Sequence, residues 1–185
     1  MSQPAEMRFK HLFESHHRAI QQYCFRRLPS SDANDAVAEV FVVAWRKIDD
    51  APEGDRALPW LYGISRNVVR NAHRSTRRST ELRRKLAGVA TDDNPGPETQ
   101  VVRSAEHSEA LEALATLRPE DQEIIRLRTW EELSNEEIAS VMGLSVRAVE
   151  SRLTRARRKL EKILSTSGAP LTQARPLPAE NGGER

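Results

Sequence analysis

The chain has 185 residues, enough for one domain or for two small ones. Acidic and basic residues nearly balance, with a formal net charge of +2, so any attraction to nucleic acid must come from local clusters of charge. One cysteine excludes an intrachain disulfide framework, and no apolar run approaches the roughly 18 residues of a membrane span, so we expect a cytoplasmic protein without membrane insertion.

The first two predicted helices lie on either side of a proline. Apolar residues recur every three or four positions from Phe9 to Cys24, which is the period of an α-helix. The sequence Pro29-Ser30-Ser31 interrupts this period. Ser31 is predicted to be the N-cap of a second helix that ends near Ile48.

The outer face of the second helix is acidic but also carries two adjacent valines. Its side chains are Asp32, Asp35, Glu39, Val42, Val43 and Arg46. Carboxylates repel phosphates, so this face is unsuited to DNA and would suit a protein partner. The alternative is that the valines are isolated exposed side chains without a partner.

A third helix carries a stripe of basic side chains. Breakers in Asp49–Asp55 predict a loop, and Pro59 is predicted to be the first helical residue. The face opposite the apolar one carries Arg66, Asn67, Arg70, His73, Arg74 and Arg77. This stripe suits contact with a phosphate backbone. Trp60 lies on the apolar face and is expected in the core, with stacking on a base as the alternative.

Two segments lack a helical pattern. Residues 79–104 contain the breaker-rich run Thr91–Pro97 and are predicted to be a flexible linker between helical domains at 9–78 and 105–164. Residues 165–185 are rich in proline and glycine and are predicted to be a disordered tail. The expected fold is therefore all-α, with two small helical domains.

The second domain contains the signals of a helix-turn-helix. Ser134 and Glu137 have the spacing of a capping box, in which each side chain accepts a hydrogen bond from the other residue's backbone N–H. Gly143 is placed to provide a left-handed turn, and Ser145 to cap a second helix that runs to about Leu160. The order helix, glycine turn and capped helix is typical of DNA-binding domains.

The second helix of this motif has a basic and hydroxyl-bearing face. That face carries Arg147, Ser151, Thr154, Arg155 and Arg158, with Glu150 on its flank. Arginine can bind guanine through two hydrogen bonds, and hydroxyl groups can bind phosphates, so the face suits the major groove of DNA. The alternative is an ordinary solvated basic face.

Three motifs together resemble extracytoplasmic-function sigma factors of the sigma-70 family. The run Asp32–Trp45 resembles their core-binding helix in region 2, and Pro59–Asn67 resembles the start of their promoter-reading helix. The stretch from Glu137 to Leu160 resembles the helix-turn-helix of region 4. The resemblance covers residues 9–164 and implies a region 2 bundle and a region 4 helix-turn-helix.

The resemblance implies three sets of contacts. Residues that would dock on the clamp helices of the largest polymerase subunit are Asp32, Asn34, Asp35, Glu39, Val42, Val43 and Arg46. Residues that would hold DNA at the −10 element are Arg66, Asn67, Arg70, Arg74 and Arg77, with the loop at 49–58 capturing a flipped base. Residues that would read the −35 element are Arg147, Glu150, Ser151, Arg152, Thr154, Arg155 and Arg158. Glu150 departs from the basic residue that is common there, so no promoter sequence is transferred.

The implied function is to bind core RNA polymerase and to direct promoter recognition and DNA melting. Core polymerase and promoter DNA are the implied partners, an anti-sigma factor is common in the family, and no catalytic residue, metal or cofactor is expected. One alternative is a two-domain regulator with a LuxR-type helix-turn-helix that acts without polymerase docking. The other is an enzyme or metalloprotein that uses His16, His17 and Cys24.

Overall fold

The protein is all-α. The computed structural model describes residues 3–87 and 105–166, and within them it contains helices and no strand. The helices are α1 (Gln3–Phe25), α2 (Ser30–Arg46), α3 (Ala57–Ala87), α4 (Ala105–Ala115), α5 (Pro119–Thr129), α6 (Asn135–Met142) and α7 (Val146–Thr166). Two short 3₁₀ turns, Ile48–Asp50 and Gly54–Arg56, lie between α2 and α3. The predicted fold class is confirmed.

The start of α2 differs from the prediction. The helix begins at Ser30 with Pro29 at the N-cap position, so the assignment of the cap to Ser31 is wrong. The carbonyl of Pro29 accepts hydrogen bonds from the backbone N–H groups of Asp32 and Ala33 at 3.0 and 2.9 Å. The Ser31 hydroxyl instead donates to the carboxylate of Asp32 at 3.0 Å. A proline carbonyl can therefore open the helix without any side-chain cap.

The limits of α3 also differ from the prediction. The helix begins at Ala57, so Pro59 is not its first residue but lies in its first turn, where its missing N–H costs no hydrogen bond. The helix continues to Ala87 and enters the range predicted to be a linker. The rest of that range, 88–104, and most of the predicted tail lie outside the described residues.

The N-terminal half, residues 3–87, is a bundle in which α1, α2 and α3 contact one another. Ile20, Tyr23, Val40 and Leu61 are fully buried or nearly so in its core. Each helix contributes one apolar stripe, as the sequence period predicts. Full burial of such a side chain stabilises the fold by about 1.5–3 kcal/mol, so few positions of this small core tolerate truncation.

The C-terminal half, residues 105–166, packs around α7. Helices α4, α5 and α6 all contact α7. Ile124, Leu127, Ile138 and Val149 are completely buried. This packing fixes which face of α7 is buried and leaves the opposite face exposed.

The two halves are in contact with each other, which the sequence did not predict. Helix α6 packs against α3, and most buried apolar residues of both halves form one continuous cluster. Beside it lies a group of buried polar side chains, here called the interface cluster, which comprises Tyr23, Arg27, Glu123 and Glu131. The Arg27 guanidinium forms ion pairs with Glu123 and with Glu131, both at 3.0 Å.

The buried Cys24 thiol is expected to be unreactive in the native protein. Burial raises the pKa of Cys24 from 9.0 to about 11, although the charge of Arg27 opposes the shift. At pH 8 the reactive thiolate is therefore about a hundredfold scarcer than for an ordinary cysteine. We expect slow labelling by a disulfide reagent in buffer and fast labelling in denaturant. Equal rates under both conditions would contradict the burial of this side chain.

Candidate nucleic-acid interfaces

Local hydrogen bonds build the helix-turn-helix in the C-terminal half. The Ser134 backbone N–H donates to the carboxylate of Glu137 at 2.7 Å, and the Glu137 N–H donates to the Ser134 hydroxyl at 3.2 Å. Gly143 has a φ of 66°, the left-handed conformation that ends α6. The Ser145 hydroxyl accepts from the Ala148 N–H at 3.2 Å at the start of α7. The predicted capping box, turn and second cap are all present.

Removal of the capping box is expected to destabilise the protein. Ser134→Ala leaves one N–H of α6 without its acceptor and should lower the free energy of unfolding by about 1 kcal/mol. Urea denaturation followed by circular dichroism measures the change. Ser140→Ala, at an exposed position on the same helix, is the matched control and should leave stability nearly unchanged. An equal loss for both variants would argue against a specific role of the cap.

The outer face of α7 is accessible. Val149, Leu153 and Ala156 are buried against the other helices. The exposed side chains on the other face are Arg147, Glu150, Ser151, Thr154, Arg155 and Arg158, here called the α7 outer face. Three arginines and two hydroxyl groups on one side of a capped helix are suited to base edges and phosphates in the major groove.

Arg152 lies apart from the α7 outer face. Its guanidinium is 2.6 Å from the Glu120 carboxylate and 3.6 Å from that of Asp121, both on α5. The hydrogen bond and the charge of Arg152 lower the pKa of Glu120, so that carboxylate is ionised at neutral pH. Arg152 thus holds α7 to α5 here, and sequence position alone gave no sign of this pair.

The basic residues of α3 form an exposed stripe. Leu61, Ile64 and Val68 are buried on one side of the helix. The opposite side presents Arg66, which is half-buried, and the exposed Asn67, Arg70, Arg74 and Arg77, here called the α3 basic stripe. Burial and the charge of Arg126 lower the pKa of the adjacent His73, so this side chain is neutral at pH 7 and adds no charge. Trp60 is half-buried against the core, as predicted.

The outer face of α2 is acidic and borders an apolar groove. Its exposed members are Asn34, Asp35, Glu39, Val42 and Arg46. Asp32 and Val43 are half-buried, and Val43 packs against the core, so the prediction of two exposed valines is wrong for one of them. The 48% exposure of Val42 is high for a large apolar side chain.

The groove beside Val42 includes aromatic residues that the sequence assigned only to a helical period. It is lined by Phe9, Ala38, Phe41, Val42 and Trp45. The rings of Phe9 and Trp45 lie edge to face with centroids 5.0 Å apart, and those of Phe13 and Phe41 do so at 4.7 Å. Phe13 remains 39% exposed. Its position four residues after Phe9 is the only signal that could have indicated an aromatic surface on α1.

Comparison with known families assigns both halves of the chain. A family model described as Sigma-70 region 2 matches residues 12–79, and one described as Sigma-70, region 4 matches residues 107–160. The RNA polymerase sigma factor NccH of Alcaligenes xylosoxydans xylosoxydans is 35% identical over 86% of this chain and 88% of that protein. The ECF RNA polymerase sigma-E factor of Escherichia coli K12 is 32% identical over 74% of this chain and 75% of that protein. The chain belongs to the ECF sigma factors of the sigma-70 family.

A solved structure supports the same assignment. The RNA polymerase sigma factor CnrH is known from Cupriavidus metallidurans, and a structure of CnrH in complex with the cytosolic domain of CnrY has been determined. That CnrH chain is 32% identical to this sigma factor with a TM-score of 0.58, and the match covers 85% of this chain and 88% of CnrH. The comparisons give no support to the alternative of a LuxR-type regulator.

The residues of the metalloprotein alternative do not form a site in this sigma factor. Cys24 is fully buried, and the His17 ring stacks on Phe41 with centroids 5.7 Å apart. In the described residues 3–87 and 105–166, no three histidine, cysteine or acidic side chains are grouped as metal ligands. Over the same residues, no helix is both long and apolar enough to cross a membrane.

Proposed function

We propose that this sigma factor binds core RNA polymerase through the α2 outer face and brings promoter DNA to it. The α3 basic stripe would hold DNA at the −10 element, and the α7 outer face would read the −35 element. The observation that supports this proposal is the pair of exposed arginine-bearing faces, one in each of the two matched sigma regions. The acidic α2 outer face cannot bind DNA and leaves a separate surface for a protein.

The physical basis of the proposed function is effective concentration. Each basic face alone binds DNA weakly, and polymerase would convert two weak contacts into one strong contact by fixing their separation. Capture of flipped bases would offset the few kcal/mol that unstacking costs, so melting would follow binding. The chain itself supplies binding, and the chemistry of nucleotide addition belongs to the polymerase in the cytoplasm. Binding should weaken steeply with salt, because phosphate contacts release counterions.

A protein that binds this sigma factor and restrains it is a further proposed partner. CnrH was determined in complex with the cytosolic domain of CnrY, and CnrH covers most of this chain. The groove lined by Phe9, Phe41 and Trp45 offers an apolar surface for a partner helix.

Run-off transcription tests the proposed function. Core polymerase without a sigma subunit is incubated with a genomic fragment library, with and without the purified chain. We expect discrete transcripts only when the chain is present, and their start sites would give the promoter sequence. No transcripts, or tight and specific DNA binding by the chain without polymerase, would contradict the proposal and favour a self-sufficient regulator.

A further inference from the structure

The interface cluster joins residues about one hundred positions apart in the sequence. The Tyr23 hydroxyl donates to one oxygen of Glu123 at 2.6 Å, and the Arg27 Nε–H donates to the other at 3.0 Å. The two terminal nitrogens of Arg27 donate to the two oxygens of Glu131 at 3.0 and 3.2 Å. This bidentate geometry is the strongest that an arginine and a carboxylate can form.

The interface cluster is shielded from water. The side chains of Arg27 and Glu131 are each 2% exposed, and that of Glu123 is 12% exposed. Burial alone would raise the pKa of Glu123, but the charge and hydrogen bond of Arg27 lower it below its ordinary value. Arg26, 3.6 Å from Glu131, adds a second positive charge beside the interface cluster, and the charge of Arg126 also acts on Glu123.

The same contact brings acidic residues of the C-terminal half towards the α3 basic stripe. Helix α6 packs on α3, and the first turn of α5 carries Glu120 and Asp121. After the larger effect of Arg152, the charges of Arg66 and Arg70 also lower the pKa of the exposed Glu120. A carboxylate at this position competes with a DNA phosphate for the same arginines.

The contact also sets the spacing of the two DNA-reading helices. Helix α6 contacts both α3 and α7. The axes of two packed helices lie about 8–10 Å apart, so the axes of α3 and α7 are about 20 Å apart. Elements centred at −10 and −35 are separated by about 25 base pairs, or about 85 Å of duplex at 3.4 Å per pair. The two helices cannot reach both elements in this arrangement, here called the closed state.

We propose that the interface cluster is a latch that holds the free sigma factor in the closed state, and that the latch must open before both promoter elements are bound. The proposal rests on the proposed function for its consequence at the promoter. The α2 outer face is exposed in the closed state, so polymerase can begin to dock while the latch is shut. Opening exposes Arg27 and both carboxylates to water, where each regains its hydration.

Small-angle X-ray scattering of the full chain, alone at neutral pH, tests the latch. The double variant Glu123→Gln/Glu131→Gln keeps the shapes of both side chains but leaves Arg27 buried without a counter-charge in the closed state. We expect the ratio of open to closed molecules to rise by at least about a hundredfold, as for loss of a buried ion-pair partner. The pair-distance distribution should change from one maximum in the wild type to two in the variant.

Controls separate opening from unfolding. Glu132→Gln/Glu136→Gln makes the same charge change at two exposed positions and should scatter like the wild type. Circular dichroism must show unchanged helix content in the double variant. If the double variant loses helix content, scattering is measured on the single variant Glu131→Gln instead. This variant leaves Glu123 as a partner of Arg27. Two maxima for the wild type, or one maximum for the folded variant, would overturn the proposal.

Binding of a generic duplex DNA at low salt tests whether acidic residues of the C-terminal half weaken the attraction of the α3 basic stripe for phosphates. The double variant should bind this DNA about tenfold or more tightly than the Glu132→Gln/Glu136→Gln control, because its arginines are no longer near Glu120. An equal DNA affinity in an expanded variant would overturn the competition between Glu120 and DNA phosphates. Both measurements use the chain without polymerase or promoter, so their outcome is independent of whether run-off transcription succeeds.

Discussion

Replacement of Asp35 by arginine is expected to abolish co-purification with core polymerase. Asp35 is exposed near the start of α2, on the acidic side of the groove that contains Val42. Reversal of its charge would place a cation where the partner surface is expected to be basic. Loss of a charge pair at an interface costs about 2–5 kcal/mol of binding free energy. The affinity of the variant for core polymerase should therefore fall by at least about thirtyfold.

The matched control for Asp35→Arg is Glu161→Arg. Glu161 is also an exposed acidic residue on a helix, but it lies on α7 in the other half of the chain. The control variant should co-purify with polymerase as the wild type does, and both should retain helix content by circular dichroism. Full retention of Asp35→Arg on polymerase would show that the α2 outer face is not the docking surface.

The second large effect is expected from Arg155→Ala on α7. Arg155 is exposed on the α7 outer face, where its side chain donates a local hydrogen bond to the Ser151 carbonyl at 3.3 Å. Loss of an arginine contact to a base or a phosphate costs about 1–3 kcal/mol, so transcript yield should fall by about 5- to 100-fold. Polymerase binding should not change, because the α2 outer face is untouched.

Arg157→Ala provides the comparison for Arg155→Ala. Arg157 is an exposed arginine on the same helix, but it flanks the buried side instead of opposing it. A reconstituted assay at subsaturating promoter concentration should show little change for this variant. Equal losses for both variants would indicate a diffuse electrostatic effect, and no loss for Arg155→Ala would remove α7 as the reading helix.

Local chemistry explains which parts of the fold could be predicted. The capping box of Ser134 and Glu137, the turn at Gly143 and the cap at Ser145 each depend on residues within four positions, and all are present. The start of α2 was misplaced because the Pro29 carbonyl opens the helix, although two serines beside it are better capping residues. The extension of α3 to Ala87 was missed because the apolar period weakens after Arg78.

Long-range contacts explain what the sequence did not reveal. Arg27 precedes Leu28 and Pro29 at a helix end, where an arginine is normally solvated, and nothing nearby indicates a partner 104 residues away. Arg152 was assigned to DNA from its place in the motif, yet its carboxylate partners lie on α5. A helical wheel gives the direction of a side chain but not the element that faces it.

The separation of Arg27 from Glu131 also has a consequence during synthesis on the ribosome. At about 5–20 residues per second, the ribosome reaches Glu131, 104 positions after Arg27, about 5–20 s later. During that interval Arg27 lacks both of its carboxylate partners, because Glu123 and Glu131 are not yet joined to the chain. The latch proposed above therefore cannot form during synthesis of the first half, and only a completed molecule has it to open.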